Sequence, residues 1–184
     1  MVVVLIILLV LVLIIGIAGV VMYNGLVKLR NKVESAWAQI DVQLKRRYDL
    51  IPNLVETVKG YATHEKETLE AVIQARNSAI AASDPEEQAA AENVITGALK
   101  SVFALSEAYP DLKANTNFLA LQEELTGSED RIAYARQFYN DVVNRYNTKI
   151  QTFPSMFLAN MAGYKPRQYF EADPGSRGPV SVKF

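Results

Sequence analysis

The chain has 184 residues, with 19 Lys and Arg against 20 Asp and Glu, one His and no Cys. A formal net charge of −1 excludes the strongly basic face by which a nucleic-acid-binding domain is recognised. Without Cys there is no disulfide framework, no thiolate zinc site and no cysteine-linked lipid.

The first element is the most apolar. Val2 to Met22 carries no charged residue and is interrupted only by Gly16, Ala18 and Gly19. As a helix it would span about 31 Å, the thickness of a bilayer's hydrocarbon core. The stretch predicts a transmembrane anchor over residues 1–22. A secretory signal peptide would carry a basic n-region, a shorter apolar core and a small-residue cleavage site. Here the apolar run begins at residue 2, and Ala18-Gly19-Val20 fits such a site poorly. A buried core helix would show a polar face, and this run has none. Lys28, Arg30 and Lys32 follow the run, with Lys45, Arg46 and Arg47 beyond, and nothing basic precedes it. The positive-inside rule then sets the N-terminus outside and the remaining chain in the cytoplasm.

Past the anchor, Tyr23 and Asn24 fall at the membrane–water boundary, where an amphipathic Tyr is favoured. Val33, Trp37, Ile40, Leu44, Tyr48, Ile51, Val55 and Val58 recur at steps of three and four, the stripe of an amphipathic helix. Pro52 lies within that stripe and predicts a kink, since the phase resumes beyond it. Gly60 marks the helix end. Thr63 is the expected cap of a second helix with Leu69, Val72, Ile73, Arg76 and Ile80 on its buried face. The same spacing also permits one very long helix through Gly60, and a turn is the preferred reading.

Asp84-Pro85-Glu86-Glu87 reads as an N-cap, a proline at the first helical position and a capping-box glutamate. Ala91, Ile95, Ala98, Val102, Leu105 and Tyr109 form the expected stripe of this third helix, and Pro110 stops it. Asn115 or Asn117 would cap a fourth helix with the stripe Phe118, Leu121, Leu125, Ser128, Ile132, Ala135, Tyr139, Val142, Tyr146 and Ile150. Its phase is kept across Thr126-Gly127-Ser128. Around and after Pro154 the character changes, and Phe153, Met156, Phe157, Met161 and Tyr164 form a short amphipathic segment. A Pro- and Gly-rich irregular tail follows, ending in the strand-like alternation Val180 to Phe184.

Catalytic constellations are scarce. His64 is the single histidine and falls near a helix start, where a solvated role is expected. There is no Glu-x-x-His pair of the di-iron bundles, no nucleophile elbow and no phosphate-binding glycine loop. Polar residues do collect beside the core stripes: Asn24, Asn31, Asp41, Arg46, Arg47, Asp49 and Asn53 on the first soluble stretch, Arg136, Asn140, Asp141, Asn144 and Asn147 on the fourth helix. Asn and Asp are mediocre helix formers and need partners when buried. They form either solvated faces or a polar network between the two long helices.

Three stretches carry a family resemblance: Tyr23-Asn24-Gly25-Leu26-Val27, the run from Ala36 to Glu65, and the run from Arg131 to Pro154. The chain resembles the LemA family of bacterial membrane proteins over nearly its whole length. That resemblance implies a short external N-terminus, one span of the inner (cell) membrane and a helical-bundle domain. It implies no activity and no catalytic residues. Relatives are linked to magnetosome membrane formation, and family genes often neighbour a membrane metalloprotease.

The expected fold is all-α: an N-terminal transmembrane helix, then an antiparallel four-helix bundle with long first and fourth helices over residues 23–152. Residues 153–184 would add the amphipathic segment and irregular tail. The expected function is a non-enzymatic, self-assembling scaffold that organises membrane or membrane-protein partners, without cofactor or metal. The alternative is a ligand-sensing or metal-dependent bundle. Expected partners are the lipid bilayer, further copies of the chain and other membrane proteins such as a membrane protease. The candidate interaction surface comprises Asn24, Asn31, Arg46, Arg47, Asp49, Asn140, Asn144, Met156 and Phe157. Apolar side chains after Phe153 would lie in the headgroup layer, meet a neighbouring subunit or cover the base of their own bundle.

Overall fold

A computed structural model describes residues 1–171. It contains the helices α1 (Val2–Lys59), α2 (Lys66–Ala81), α3 (Pro85–Ala108), α4 (Pro110–Lys113), α5 (Thr116–Gln151) and α6 (Ser155–Met161). Among the described residues there is no strand. The alternation at Val180 to Phe184 lies outside them.

α1 joins two segments that differ in chemistry. Its first part leaves large apolar side chains exposed on every side, Leu9 at 67% and Ile15 at 62%. That part is long and apolar enough to cross a bilayer, and none of it is buried in the protein. From Leu26 onward one face is buried, and the helix continues without a break. Pro52 lies inside α1 and does not end it. The helix stops at Lys59, where Tyr61 N and Ala62 N both donate to Val58 O at 2.9 Å.

The described chain divides into two compact units, Met1–Ala38 with Phe138–Gln168, and Gln39–Gln137 with residues 169–171. In the first unit Leu26, Val33 and Ala36 of α1 are buried, as are Tyr139, Val142, Val143, Tyr146 and Ile150 of α5. Trp37 is half-buried, with its ring 5.3 Å from that of Tyr139 and inclined by 63°. This edge-to-face arrangement suits the opposed charge of ring face and rim.

In the second unit Ile40, Leu44, Ile51, Leu54 and Val58 of α1 are buried together with Ile95, Leu99 and Val102 of α3 and Phe118, Leu125 and Ile132 of α5. α2 begins at Lys66, with Glu65 at its cap position and no side-chain capping bond, so Thr63 does not cap it. Its buried face is Leu69, Val72, Ala75 and Ala79, while Ile73 and Ile80 are exposed at 40% and 53%. The phase is rotated from the expected one because alanines, not the larger isoleucines, face the neighbouring helix and permit close approach. Asp84 caps α3 as expected, with Oδ1 accepting from Glu86 N and Glu87 N at 2.9 Å each. Glu87 Oε2 reaches back to Ser83 N at 3.1 Å, one residue before the cap. The buried face of α3 includes Gln88, Glu92 and Ser106, a more polar stripe than the expected Ala91, Ala98 and Leu105.

α5 starts where Asn115 Oδ1 accepts from Phe118 N at 2.9 Å. It passes through Thr126-Gly127-Ser128 because Thr126 Oγ1 and Ser128 Oγ donate to the carbonyls of Gln122 and Leu125, at 2.8 and 2.7 Å. Polar side chains bonded back to their own helix need no other partner. The expected stripe is buried throughout except at Leu121, which is half-buried.

α6 turns its small residues inward. Ser155 and Ala159 are buried, whereas Phe153, Phe157 and Met161 are exposed at 78%, 60% and 81%. Gly163, at φ +72°, closes the helix: Tyr164 N donates to Ala159 O at 2.9 Å and Gly163 N to Asn160 O at 3.2 Å. This pair of bonds is the Schellman closure, whose left-handed residue is nearly strain-free only as Gly.

Replacing Trp37 by Ala should cost about 2–4 kcal/mol, less than a fully buried Trp, because the side chain is only partly buried. Thermal unfolding of the full chain checks this, and an unchanged melting temperature would show that the Tyr139 contact contributes nothing.

Candidate functional site

Two places concentrate polar chemistry. The first is a buried cluster in the second unit. Arg47 of α1 is 2% exposed and Glu92 of α3 is 3% exposed. A guanidinium so placed must be neutralised and hydrogen-bonded, since an unpaired buried charge costs several kcal/mol (roughly 3–5). Arg47 Nη1 donates to Glu92 Oε2 at 3.2 Å, and Nη2 donates to Thr96 Oγ1 at 2.8 Å. Tyr48 OH donates to Glu92 Oε1. Gln88 Nε2 donates to Tyr48 OH at 2.8 Å and to Ala79 O at 3.3 Å. Arg76 Nε donates to Tyr48 O at 2.8 Å. One cluster therefore ties α1, α2 and α3 together.

Burial pushes the Glu92 carboxyl up from its ordinary range, against the hydrogen bond from Tyr48 and the attraction of Arg47. Burial, then the bond to Glu92, also raises the Tyr48 phenol. Arg136, half-buried on α5, faces the same carboxylate electrostatically and is lowered by burial. Its guanidinium lies 5.1 Å from the centre of the Phe170 ring. Most of the cluster's donors and acceptors pair with one another, while Arg47 Nε and Arg136 Nε are buried without a hydrogen-bond partner. Among the described residues no group of three His, Cys, Asp or Glu is placed to hold a metal.

The second place lies in the first unit, where the chain after α6 lies along α5. Asn147 grips Arg167 by its backbone, Nδ2 donating to Arg167 O at 2.9 Å and Oδ1 accepting from Arg167 N at 2.8 Å. Tyr146 OH donates to Lys165 O and Tyr139 OH to Gln168 O, both at 2.9 Å. Burial raises both phenols. A cleft of about 330 Å³ opens beside this segment, lined by Tyr23, Arg30, Tyr146, Tyr164, Lys165 and Arg167. The Arg30 guanidinium stacks 5.9 Å from the centre of the Tyr164 ring. Arg30 and Arg167 share Glu34 Oε1 at 3.9 and 3.6 Å.

The candidate interaction residues divide accordingly. Asn24, Asn31, Asp49, Asn144 and Phe157 are exposed, while Asn140 and Met156 are half-buried. Arg46 pairs with Glu124 at 2.6 Å, both side chains about half exposed. Arg47 is not on a surface: the cluster above encloses it. Of the two readings of the polar residues beside the core stripes, solvated faces or a network between the long helices, the exposed Asn24, Asn31, Asp49 and Asn144 follow the first, and the buried network at Arg47 links α1 to α2 and α3. Sequence reasoning did not find Gln88, Glu92 or Thr96. Their spacing at i, i+4 and i+8 on one helix face was a usable signal, masked by the alanines around them.

The family model described as "LemA family" matches residues 36–184. The chain belongs to the LemA family. The matched region takes in the whole Arg47–Glu92 cluster and the docked segment after α6, and excludes the apolar part of α1. Protein LemA of Metamycoplasma hominis is 32% identical over 134 residues, covering 71% of this chain and 60% of that protein. The chain thus spans about 60% of that relative's length. Magnetosome protein MamQ 2 of Paramagnetospirillum magneticum is 25% identical over 184 residues, covering 86% of this chain and 68% of the relative. Magnetosome protein MamQ of Magnetospirillum gryphiswaldense is 24% identical with the same coverage.

Two predictions follow from the cluster. Arg47→Met should cost about 3–5 kcal/mol because it strands Glu92, and adding Glu92→Met should recover most of the loss. Chemical unfolding of the full chain measures both. An equal loss in single and double variants would show that the pair's charges are not coupled. The second prediction concerns pH. The folded-state pKa of Glu92 is raised above its ordinary value of 4.5, so the folded chain binds more protons just above that pH. Stability from this group is therefore fully present below 4.5 and is lost as pH rises through the folded pKa. Wild-type melting temperature, compared with that of Glu92→Gln, should fall over this window, and parallel pH profiles would contradict it.

Proposed function

We propose that this LemA-family chain is a single-pass protein of the bacterial inner membrane, with its N-terminus outside. Its helical domain, arranged as an antiparallel four-helix bundle, faces the cytoplasm. It acts as a non-enzymatic scaffold that self-assembles and organises the membrane or membrane proteins. The observation that carries this reading is α1. Its first part is apolar on every side and unburied, and the same helix then supplies a face to the packed domain. No irregular chain separates the two parts of this helix. The most distinctive polar cluster, around Arg47, makes its hydrogen bonds between helices of the domain, which suits a structural role. The names of the magnetosome relatives fit a role in building a cellular structure.

The orientation rests on Lys28, Arg30 and Lys32 beyond the apolar run. A protease added outside intact spheroplasts should leave the chain beyond Asn24 uncut, and digestion there would reverse the orientation. Full chain extracted in detergent should sediment as an oligomer. A strictly monomeric particle at all concentrations would remove the scaffold reading.

A further inference from the structure

The cleft in the first unit has a composition and a position that the scaffold role does not use. Its cations are Arg30, Lys165 and Arg167. The acid that faces them in the described structure is Glu34, whose Oε1 sits 3.9 Å from Arg30 and 3.6 Å from Arg167. Those contacts are long and half-exposed, and such pairs are worth little; the other neighbours of the two guanidinium groups here, the Tyr146 hydroxyl beside Arg167 and the Tyr164 ring beside Arg30, are uncharged, so the positive charge is not cancelled. Lys165 is exposed, and its backbone carbonyl, not its ammonium, is what holds Tyr146.

Position supplies the second argument. Tyr23 lines the cleft and directly follows the apolar run. Arg30 is two turns further on the same face of α1, about 10 Å along the axis. Side chains on a helix lean towards its N-terminus, so the Arg30 guanidinium reaches back towards the hydrocarbon boundary. This is the depth of the polar headgroup layer, where basic pockets hold anionic headgroups. α6 adds a third feature. Phe153, Phe157 and Met161 recur every fourth residue, all more than half exposed. The helix ends at the Gly163 turn, which enters the cleft wall. An apolar stripe beside a basic cleft is the pattern of a segment lying in the membrane interface.

We propose that this cleft binds the phosphate of an anionic phospholipid, with Arg30, Lys165 and Arg167 as its ligands and the α6 stripe resting among the adjoining acyl chains. The proposal rests on the membrane-anchored reading of α1. The phosphate diester carries one negative charge, and three cations against one carboxylate leave a surplus to meet it. Tyr23 and Tyr164 supply the amphipathic walls favoured at that depth.

The test uses the full chain in uncharged detergent micelles, titrated with phosphatidylglycerol or phosphatidylcholine and followed by native mass spectrometry. Phosphatidylglycerol should bind at least about tenfold more tightly, as expected for two or more basic side chains acting near a membrane surface. Lys165→Gln with Arg167→Gln should abolish that preference. Both substitutions leave the backbone bonds to Tyr146 and Asn147 in place, and an unchanged melting temperature confirms that the cleft is still built. Lys45→Gln with Lys100→Gln removes equal charge elsewhere and should keep the preference. Equal binding of the two lipids, an equal loss in the control pair, or a cleft variant that retains the preference would each overturn the proposal. So would displacement of the lipid by glycerol phosphate at similar concentration, which would identify a soluble phosphate ester as the ligand. Failure of the anchor reading would look different: the chain would leave membranes on alkaline washing whatever the lipid.

Discussion

α1 must satisfy two solvents with one backbone. Over its first part no side chain needs water, and past the first turn the backbone donors and acceptors are satisfied within the helix, the condition for crossing hydrocarbon. From Leu26 on, a single face is apolar, and it is buried. What changes is only the distribution of side chains around the axis. The packed part of the protein follows from that change: once polar groups occupy most of the circumference, the remaining stripe has to find α3 and α5 as partners, and the other helices assemble on them.

The same helix also carries Arg47 into an apolar interior, and several other positions answer to that one charge. Glu92 neutralises it, Thr96 takes its second nitrogen, and Tyr48 and Gln88 satisfy the carboxylate's other oxygen. Replacing the group with hydrocarbon would be energetically tolerable, so affinity between helices does not explain its presence. What the cluster does supply is register. Arg47 meets Glu92 only when α1 and α3 are correctly aligned, whereas an aliphatic stripe tolerates slippage by a turn.

Much of this was legible in the residues and some was not. The α5 stripe from Phe118 to Ile150 read correctly over about nine turns, Leu121 alone being only partly buried, because apolar or small side chains fall at every third or fourth position. Asp84 and Pro85 announced the start of α3 by their own chemistry. α2 misled because it is rich in alanine: hydrophobicity favoured Ile73 and Ile80, while the space available favoured Ala75 and Ala79. On α3, a buried glutamate contradicts the pattern until its arginine is known, and that arginine is 45 residues away. α6 was readable as amphipathic, but the side that faces inward was not, because Ser155 and Ala159 bury easily where Phe157 would not fit. The cleft residues come from three separate stretches and share no periodicity that a linear reading could collect.

The segment after α6 is held through its main chain. Asn147, Tyr146 and Tyr139 bond to the backbone at Arg167, Lys165 and Gln168, and nothing in those bonds depends on which side chains the held residues carry. Substitution at Lys165 or Arg167 therefore leaves the docking geometry standing while changing the charge displayed at the cleft. In evolutionary terms the scaffold and its surface chemistry are separable. Members of such a family could exchange one electrostatic preference for another by point changes, with no repacking beneath them.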